Sequence, residues 1–232
     1  MPDCLIEAQD LWLRYGKGDA AYDALRGLDL QISCGEFVAI VGPSGSGKSS
    51  LLHILGLMLN PTRAAKLTLD GEDLVSATEA RLTRLRTTKI GFVFQRLNLV
   101  PVLSAADNVR LAFWLRGIQS DGQVDELLDR LGVGENKHKR PTQMSVGQQQ
   151  RVAVARAIAG SPRLLLADEP TGSLDSRNAG LVLDLLRQVH QQHKDELTTV
   201  IVTHNEEVAN AADRIIHIHD GQVIDADKPA GT

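Results

Sequence analysis

Aromatic side chains are scarce: Phe, Trp and Tyr together make up 3% of the 232 residues. A surface that stacks the bases of a single-stranded nucleic acid needs such rings in number. Excess positive charge is also lacking, since 25 Lys and Arg against 29 Asp and Glu leave a net charge of −4. That removes the electrostatic footprint of a nucleic-acid binder, and no nucleic-acid partner is expected. No apolar run approaches the ~18–20 residues that a membrane span requires. Met1-Pro2-Asp3-Cys4-Leu5 does not set a basic region before an apolar one, which reads as no signal peptide. The two cysteines, Cys4 and Cys34, make no C-x-x-C pair and read as free thiols in a reducing compartment. Repeats and low-complexity segments are missing too. These absences lead to the expectation of a soluble, cytosolic chain, with docking onto a membrane protein left open. What is present is core-forming material: 43% hydrophobic residues, suited to one large domain or two small ones.

The chain is organised around Gly42-Pro43-Ser44-Gly45-Ser46-Gly47-Lys48-Ser49, which reads G-x-x-x-x-G-K-S. An apolar stretch of strand length, Glu36 to Val41, precedes it, and a helix former, Ser50 to Leu55, follows. Glycines let backbone approach a polyphosphate, and successive N–H groups at a helix N-terminus point at its oxygens. Lys48 supplies a point charge near the β- and γ-phosphates, and Ser49 a hydroxyl for Mg²⁺.

Upstream, Leu5–Tyr15 and Leu25–Ser33 read as strands separated by Gly16-Lys17-Gly18-Asp19. Tyr15 could stack on a nucleotide base or cap the edge of a small sheet. Asn60-Pro61-Thr62 is expected to end the helix after the P-loop. Lys66–Leu69 reads as a strand closed by Asp70-Gly71. Ser76-Ala77-Thr78-Glu79 matches a capping box ahead of a basic, solvated helix through Arg81, Arg84 and Arg86. Ile90–Phe94 reads as a buried strand ending at Gln95. From Ser104 to Ala159 nearly everything reads as helix or loop, a helical insertion. Arg163 to Glu169 is an apolar run closing on two acids, as buried parallel strands do where ligands collect. Arg177–His190 reads as a helix, Thr198–Thr203 as a strand ending at His204, and Arg214–His219 with Gln222–Ile224 as a hairpin turning at Asp220-Gly221.

Asp168, at a strand end, can complete a Mg²⁺ site with Ser49, and Glu169 can take a proton from or orient a water. Gln95 and His204 end apolar strands, so a parallel sheet would bring them to the P-loop edge. Gln95 then offers a water or Mg²⁺ ligand, and His204 a γ-phosphate donor. The pairs His190/His193 and His217/His219 have metal-compatible spacing but no carboxylate or cysteine companions. Met144-Ser145-Val146-Gly147-Gln148-Gln149-Gln150-Arg151 opens a helix with a second anion site. One chain has no use for two γ-phosphate sites; two copies facing each other would.

In these motifs the sequence resembles the nucleotide-binding subunit of ABC transporters along nearly its whole length. Gly42 to Ser49 resembles Walker A, Leu164 to Asp168 Walker B, and Glu169 the catalytic glutamate. Gln95 matches the Q-loop, Ser145 to Gln148 the signature, Ser173-Leu174-Asp175 the D-loop, His204 the switch histidine, and Tyr15 the adenine-stacking aromatic. Segments Val41–Ser49, Gly91–Arg96 and Ala167–Gly172 look like the subgroup that powers lipoprotein release and macrolide export. Two departures stand out: Met144 and Val146 replace the usual leucine and first glycine of the signature, and Arg63-Ala64 stands where Ser-Gly is common.

The resemblance implies an α/β fold: a P-loop NTPase core with a mostly parallel sheet, an N-terminal antiparallel β subdomain and a helical insertion subdomain. Approximate bounds are 1–95 and 161–232 for core and β subdomain, and 96–160 for the helical part. It implies ATP and Mg²⁺ as cofactors and ATP hydrolysis as the activity. Glu169, His204 and Gln95 are expected to be catalytic, and Ser49, Gln95 and Asp168 to hold the metal. Nucleotide contacts are expected from Tyr15, Gly42, Pro43, Ser44, Gly45, Ser46, Gly47, Lys48, Ser49, Ser50, Ser145, Gly147, Gln148 and Asp175. The implied partners are a second copy of the chain and integral membrane permease subunits, at the cytoplasmic face of the inner cell membrane. A non-transport ABC ATPase acting on nucleic acid or ribosomes is the alternative. The interval of about a hundred residues between Walker A and signature holds no sustained heptads of the kind repair members carry.

Overall fold

The computed structural model describes residues 4–172 and 176–227. Two sheets organise them. The first is antiparallel and consists of β1 (Cys4–Tyr15), β2 (Tyr22–Ser33), β4 (Lys66–Leu69) and β5 (Glu72–Asp73), in the order β2-β1-β4-β5. On β2 the alternation of Leu28, Leu30 and Ile32 with Asp29 and Gln31 turns one face to the core. The strand starts at Tyr22 rather than at Leu25, because Tyr22 and Asp23 still pair with Tyr15 and Arg14 of β1.

The second sheet has six strands in the order β10-β9-β3-β8-β7-β6. They are β3 (Phe37–Val41), β6 (Ile90–Val93), β7 (Leu164–Asp168), β8 (Thr198–Val202), β9 (Arg214–His219) and β10 (Gln222–Asp227). All neighbours are parallel except β10, which returns on β9. Strand alternation splits the core. Val38, Ile40, Leu164, Leu166, Val200, Val202, Ile216 and Ile218 pack with the antiparallel sheet, with α1 (Lys48–Leu55) and with α2 (Glu79–Lys89). Phe37, Ala39, Leu165, Ala167 and Ile201 face the other way, into the helices.

Those helices are α3 (Ala105–Leu115), α4 (Gln123–Arg130), α5 (Val146–Ile158), α6 (Ser176–Gln192) and the short α7 (Glu206–Ala209). The described residues between β6 and β7 contain no strand, as the helical reading expects. Their apolar side chains, among them Val109, Phe113, Leu128 and Val152, share one buried cluster with the sheet face. Ser104 caps α3, its Oγ accepting from the Asp107 N–H at 3.1 Å.

Two local expectations are corrected. α1 does not run on to Pro61; it stops at Leu55, with Gly56 as its C-cap and Leu57 in the left-handed region at φ 55°. Glycine and the reversed residue after it end the helix before proline can act. The N-cap of α2 is Thr78, not Ser76, and its side chain accepts from the Arg81 N–H. The Ser76 hydroxyl donates to Asp73 instead. No helix among the described residues is long and apolar enough to cross a membrane.

Candidate functional site

The loop between β3 and α1 is shaped by what its glycines touch. Gly42 (φ 152°) and Gly47 (φ 102°) lie in backbone regions that other residues rarely enter. A Cβ at Gly42 would stand 2.0 Å from the Ile218 carbonyl, and one at Gly47 2.5 Å from that of Ala24. The loop is thus wedged between β9 and β2. Lys48 is buried, and its Nζ donates to the Gly42 and Pro43 carbonyls at 2.8 and 2.7 Å. Burial lowers its pKa, opposed by the charges of Glu169 and Asp168. Ser46 Oγ is buried with no partner among the described residues.

The acids arrive from β7. Ser49 Oγ donates to Asp168 Oδ1 at 3.1 Å. Burial raises the Asp168 pKa, and the Ser49 hydrogen bond and the nearby His53 work against the rise. His53 Nε2 lies 3.9 Å from Asp168 Oδ2, and its ring stacks near Phe92. Glu169 sits at φ 45°, a costly conformation for a residue with a Cβ. It is held there by its N–H donating to Val202 O and its carbonyl accepting from the Gly172 N–H, both at 3.0 Å. One carboxylate oxygen, Oε1, lies 2.9 Å from His204 Nδ1, while Oε2 is buried without a partner among the described residues.

A cavity of about 380 Å³ brings together Gly42, Ser44, Gly45, Gly47, Lys48, Ser49, Ser50, Glu169 and His204, with Tyr22 and Ala24 from β2. Tyr15 lies beside it, its hydroxyl 3.3 Å from Ser50 Oγ and its ring against Tyr22.

Gln95 reaches the same carboxyl edge of the sheet but not this cavity. β8 and β7 lie between β3 and β6, so the two strand ends are about 14 Å apart at about 4.8 Å per strand. Gln95 lines a separate cavity of about 710 Å³ with Leu97, Pro101, Pro141 and Gln149. Ser145, Gly147 and Gln148 line a third, of about 280 Å³. There Ser145 Oγ accepts from the Gln148 N–H at 3.2 Å and Gln148 Oε1 from the Ser145 N–H at 3.0 Å, a closed capping box. Val146 opens α5 outside the left-handed region, with its side chain half-exposed, as a β-branched residue requires. Asp175, with Ser173 and Leu174, lies outside the described residues. His190, a metal candidate by spacing, is instead buried against Thr199 Oγ1 at 3.0 Å.

Sequence reasoning missed Tyr22 and His53. His53 follows Ser49 by one helical turn, which puts both on one face of α1, so periodicity could have found it. Tyr22 carried no linear signal, because its place comes from pairing across strands.

A strand, a glycine loop wedged against its neighbours and a helix carrying lysine and serine, with the two acids Asp168 and Glu169 at the end of β7, define a P-loop nucleoside triphosphatase of the α/β class. The sequence profile described as ABC transporter matches residues 25–172. An uncharacterized ABC transporter ATP-binding protein of Thermotoga maritima is 44% identical over 222 residues, 94% of this chain and 93% of that protein. The macrolide export ATP-binding/permease protein MacB of Brucella melitensis is 44% identical over 223 residues, 95% of this chain and 34% of that protein. The chain therefore spans about a third of that relative's length. A solved dimeric ATP-binding cassette in a post-hydrolysis state, bound to ADP and Pi, superposes with a TM-score of 0.87 at 37% identity, covering 98% of this chain and all of that one. The chain belongs to the ABC transporter family and is an ATP-binding protein that hydrolyses ATP.

Proposed function

We propose that two copies of this chain close over two ATP molecules, and that hydrolysis reopens them to drive separate membrane subunits of an export or lipoprotein-release transporter. The observation that carries this is the separation of the P-loop cavity from the Ser145–Gln148 cavity within one chain. Each is a half-site, and a second copy supplies the missing half to both. The relative named for macrolide export supports the transport direction. The helical stretch 96–160 is then the part that carries the signature to the partner's nucleotide, attached to a core formed by 1–95 and 161–232. A permease partner puts the chain at the cytoplasmic face of the inner membrane.

The roles follow from the groups. Lys48 and the loop N–H groups hold the β- and γ-phosphates. Ser49 and Asp168 present hard oxygen ligands 3.1 Å apart, a donor pair that fits Mg²⁺. When bound, Mg²⁺ neutralises charge on the phosphate oxygens. Gln95 completes the ligand set from the strand next to β7; a Cβ at Gly172 would stand 3.2 Å from its Nε2 and 3.5 Å from Glu169 Cβ. Glu169 takes the proton of the attacking water, and His204 fixes the free rotation of that carboxylate and faces the γ-phosphate. Ser145, Gly147 and Gln148, with Asp175, complete the partner's site.

The test is Glu169→Gln, which keeps shape and removes the proton acceptor. Hydrolysis is expected to fall by about 10² or more, with ATP retained. Light scattering should then give a dimer with ATP and a monomer without it. A monomer under both conditions contradicts the two-copy site.

A further inference from the structure

We propose that His53 is a positioning residue for the metal site, holding the outer oxygen of Asp168 so that its carboxylate keeps one orientation toward Mg²⁺. The proposal deepens the reading of Ser49 and Asp168 as the Mg²⁺ pair and rests on it. The two oxygens of Asp168 have different neighbours. Oδ1 accepts from the Ser49 hydroxyl at 3.1 Å, and Oδ2 lies 3.9 Å from His53 Nε2. One hydrogen bond leaves the carboxylate free to turn about its Cβ–Cγ bond; a contact on each oxygen fixes its plane. The His53 gap is about 1 Å longer than a hydrogen bond, and a small rotation of either side chain closes it. The contact needs a neutral ring with its proton on Nε2, not a charged one.

A partly exposed histidine beside an acid is ordinarily a surface pair of little consequence. His53 differs in how its ring is held. It follows Ser49 by one turn of α1, so both stand on one side of that helix. Its ring centroid lies 6.2 Å from that of Phe92 at 28°, and Phe92 lies 4.2 Å from Phe94 at 27°. Phe92 packs on the end of the same helix, where a Cβ at Gly56 would stand 3.2 Å from Phe92 Cε2. β6, which carries Phe92, is paired with β7, which ends at Asp168. The imidazole is therefore backed by the neighbouring strand and presents Nε2 to the carboxylate. Groups that hold a metal-ligating carboxylate in place typically carry about 10–100-fold in metal affinity.

Titration calorimetry of ATP into the full chain carrying Glu169→Gln, which is expected to retain ATP, tests this with Mg²⁺ and with EDTA in its place. His53→Leu in that background is expected to weaken ATP by about tenfold with Mg²⁺ and by less than about twofold with EDTA. His53→Gln keeps an N–H donor and is expected to stay within about threefold of the parent with Mg²⁺. Unchanged affinity with Mg²⁺ in His53→Leu overturns the proposal. So does an equal loss with and without the metal, which would mean that His53 acts through the fold of α1. A loss in His53→Gln as large as in His53→Leu overturns it too, because the donor is then not what matters. Ser49→Ala, run in parallel, separates the two readings. If it binds ATP with Mg²⁺ as tightly as the parent, the reading of Ser49 and Asp168 as the metal pair fails, and the proposal falls with it.

Discussion

His190 is buried near the end of α6, its ring 5.1 Å from that of Phe37 and its Nε2 without a partner among the described residues. Burial lowers its pKa, with the charge of Asp213 opposing and that of Lys194 assisting. The folded chain thus holds this ring neutral, while the unfolded chain protonates it below about pH 6.5. The unfolded state binds more protons in that window, so stability falls as pH drops from about 6.5 toward the lowered folded value and is unaffected above it. Urea denaturation at pH 7.5 and 5.5 should show a smaller acid loss in His190→Gln than in the parent. Equal losses would mean that other groups govern the acid limit. The same scale explains a departure from the family pattern. Arg63 lies 5.1 Å over the Trp12 ring and pairs with Asp10, which accepts from Trp12 Nε1 at 2.6 Å, so the arginine has a local partner set.

Among elements, α5 holds more than its own end. Arg156 Nη1 donates to the Asn98 carbonyl at 2.5 Å and Nη2 to that of Leu97 at 2.7 Å. Leu97 and Asn98 sit at φ 52° and 48°, and two left-handed non-glycine residues cost about 1–2 kcal/mol each. The guanidinium offsets that strain in the loop that carries Gln95. Arg156→Met should destabilise the chain by about 2 kcal/mol, read as a lower urea midpoint. Adding Asn98→Gly should recover about 1 kcal/mol. If the two changes simply add, the strained loop is not what Arg156 holds. The loop is tied from its other end by the fully buried Asn108, whose Oδ1 accepts from the Val100 N–H at 2.8 Å and whose Nδ2 donates to Ser104 O at 2.9 Å.

At the scale of the whole molecule, the two-copy reading makes a prediction that a lone chain cannot mimic. Ser145 lines its own cavity, away from the P-loop. Ser145→Arg puts a bulky cation against the partner's nucleotide and should abolish hydrolysis, while the monomer binds ATP as before. Equal loss of ATP binding by the monomer would sink the idea, because a contact made in trans has no effect on one chain.

Much of this site was legible along the chain because its parts are local. A glycine loop between a strand and a helix binds phosphate with its own backbone, so Gly42 to Ser49 could be read directly. The Ser104 cap and the Asp220-Gly221 turn are likewise short-range hydrogen bonding and backbone preference. Strand order, by contrast, comes from packing between distant segments, and no local pattern encodes it. It sets Asp168 within 3.1 Å of Ser49 and leaves Gln95 at the far strand in another cavity. It also pairs Tyr22 with Tyr15 across two strands and sets Tyr22 in the lining of the P-loop cavity. The sequence by itself determined which chemical groups the chain carries. Only the tertiary structure decided which of them meet, because a contact between residues far apart in the chain depends on the register and order of strands built by the shared core.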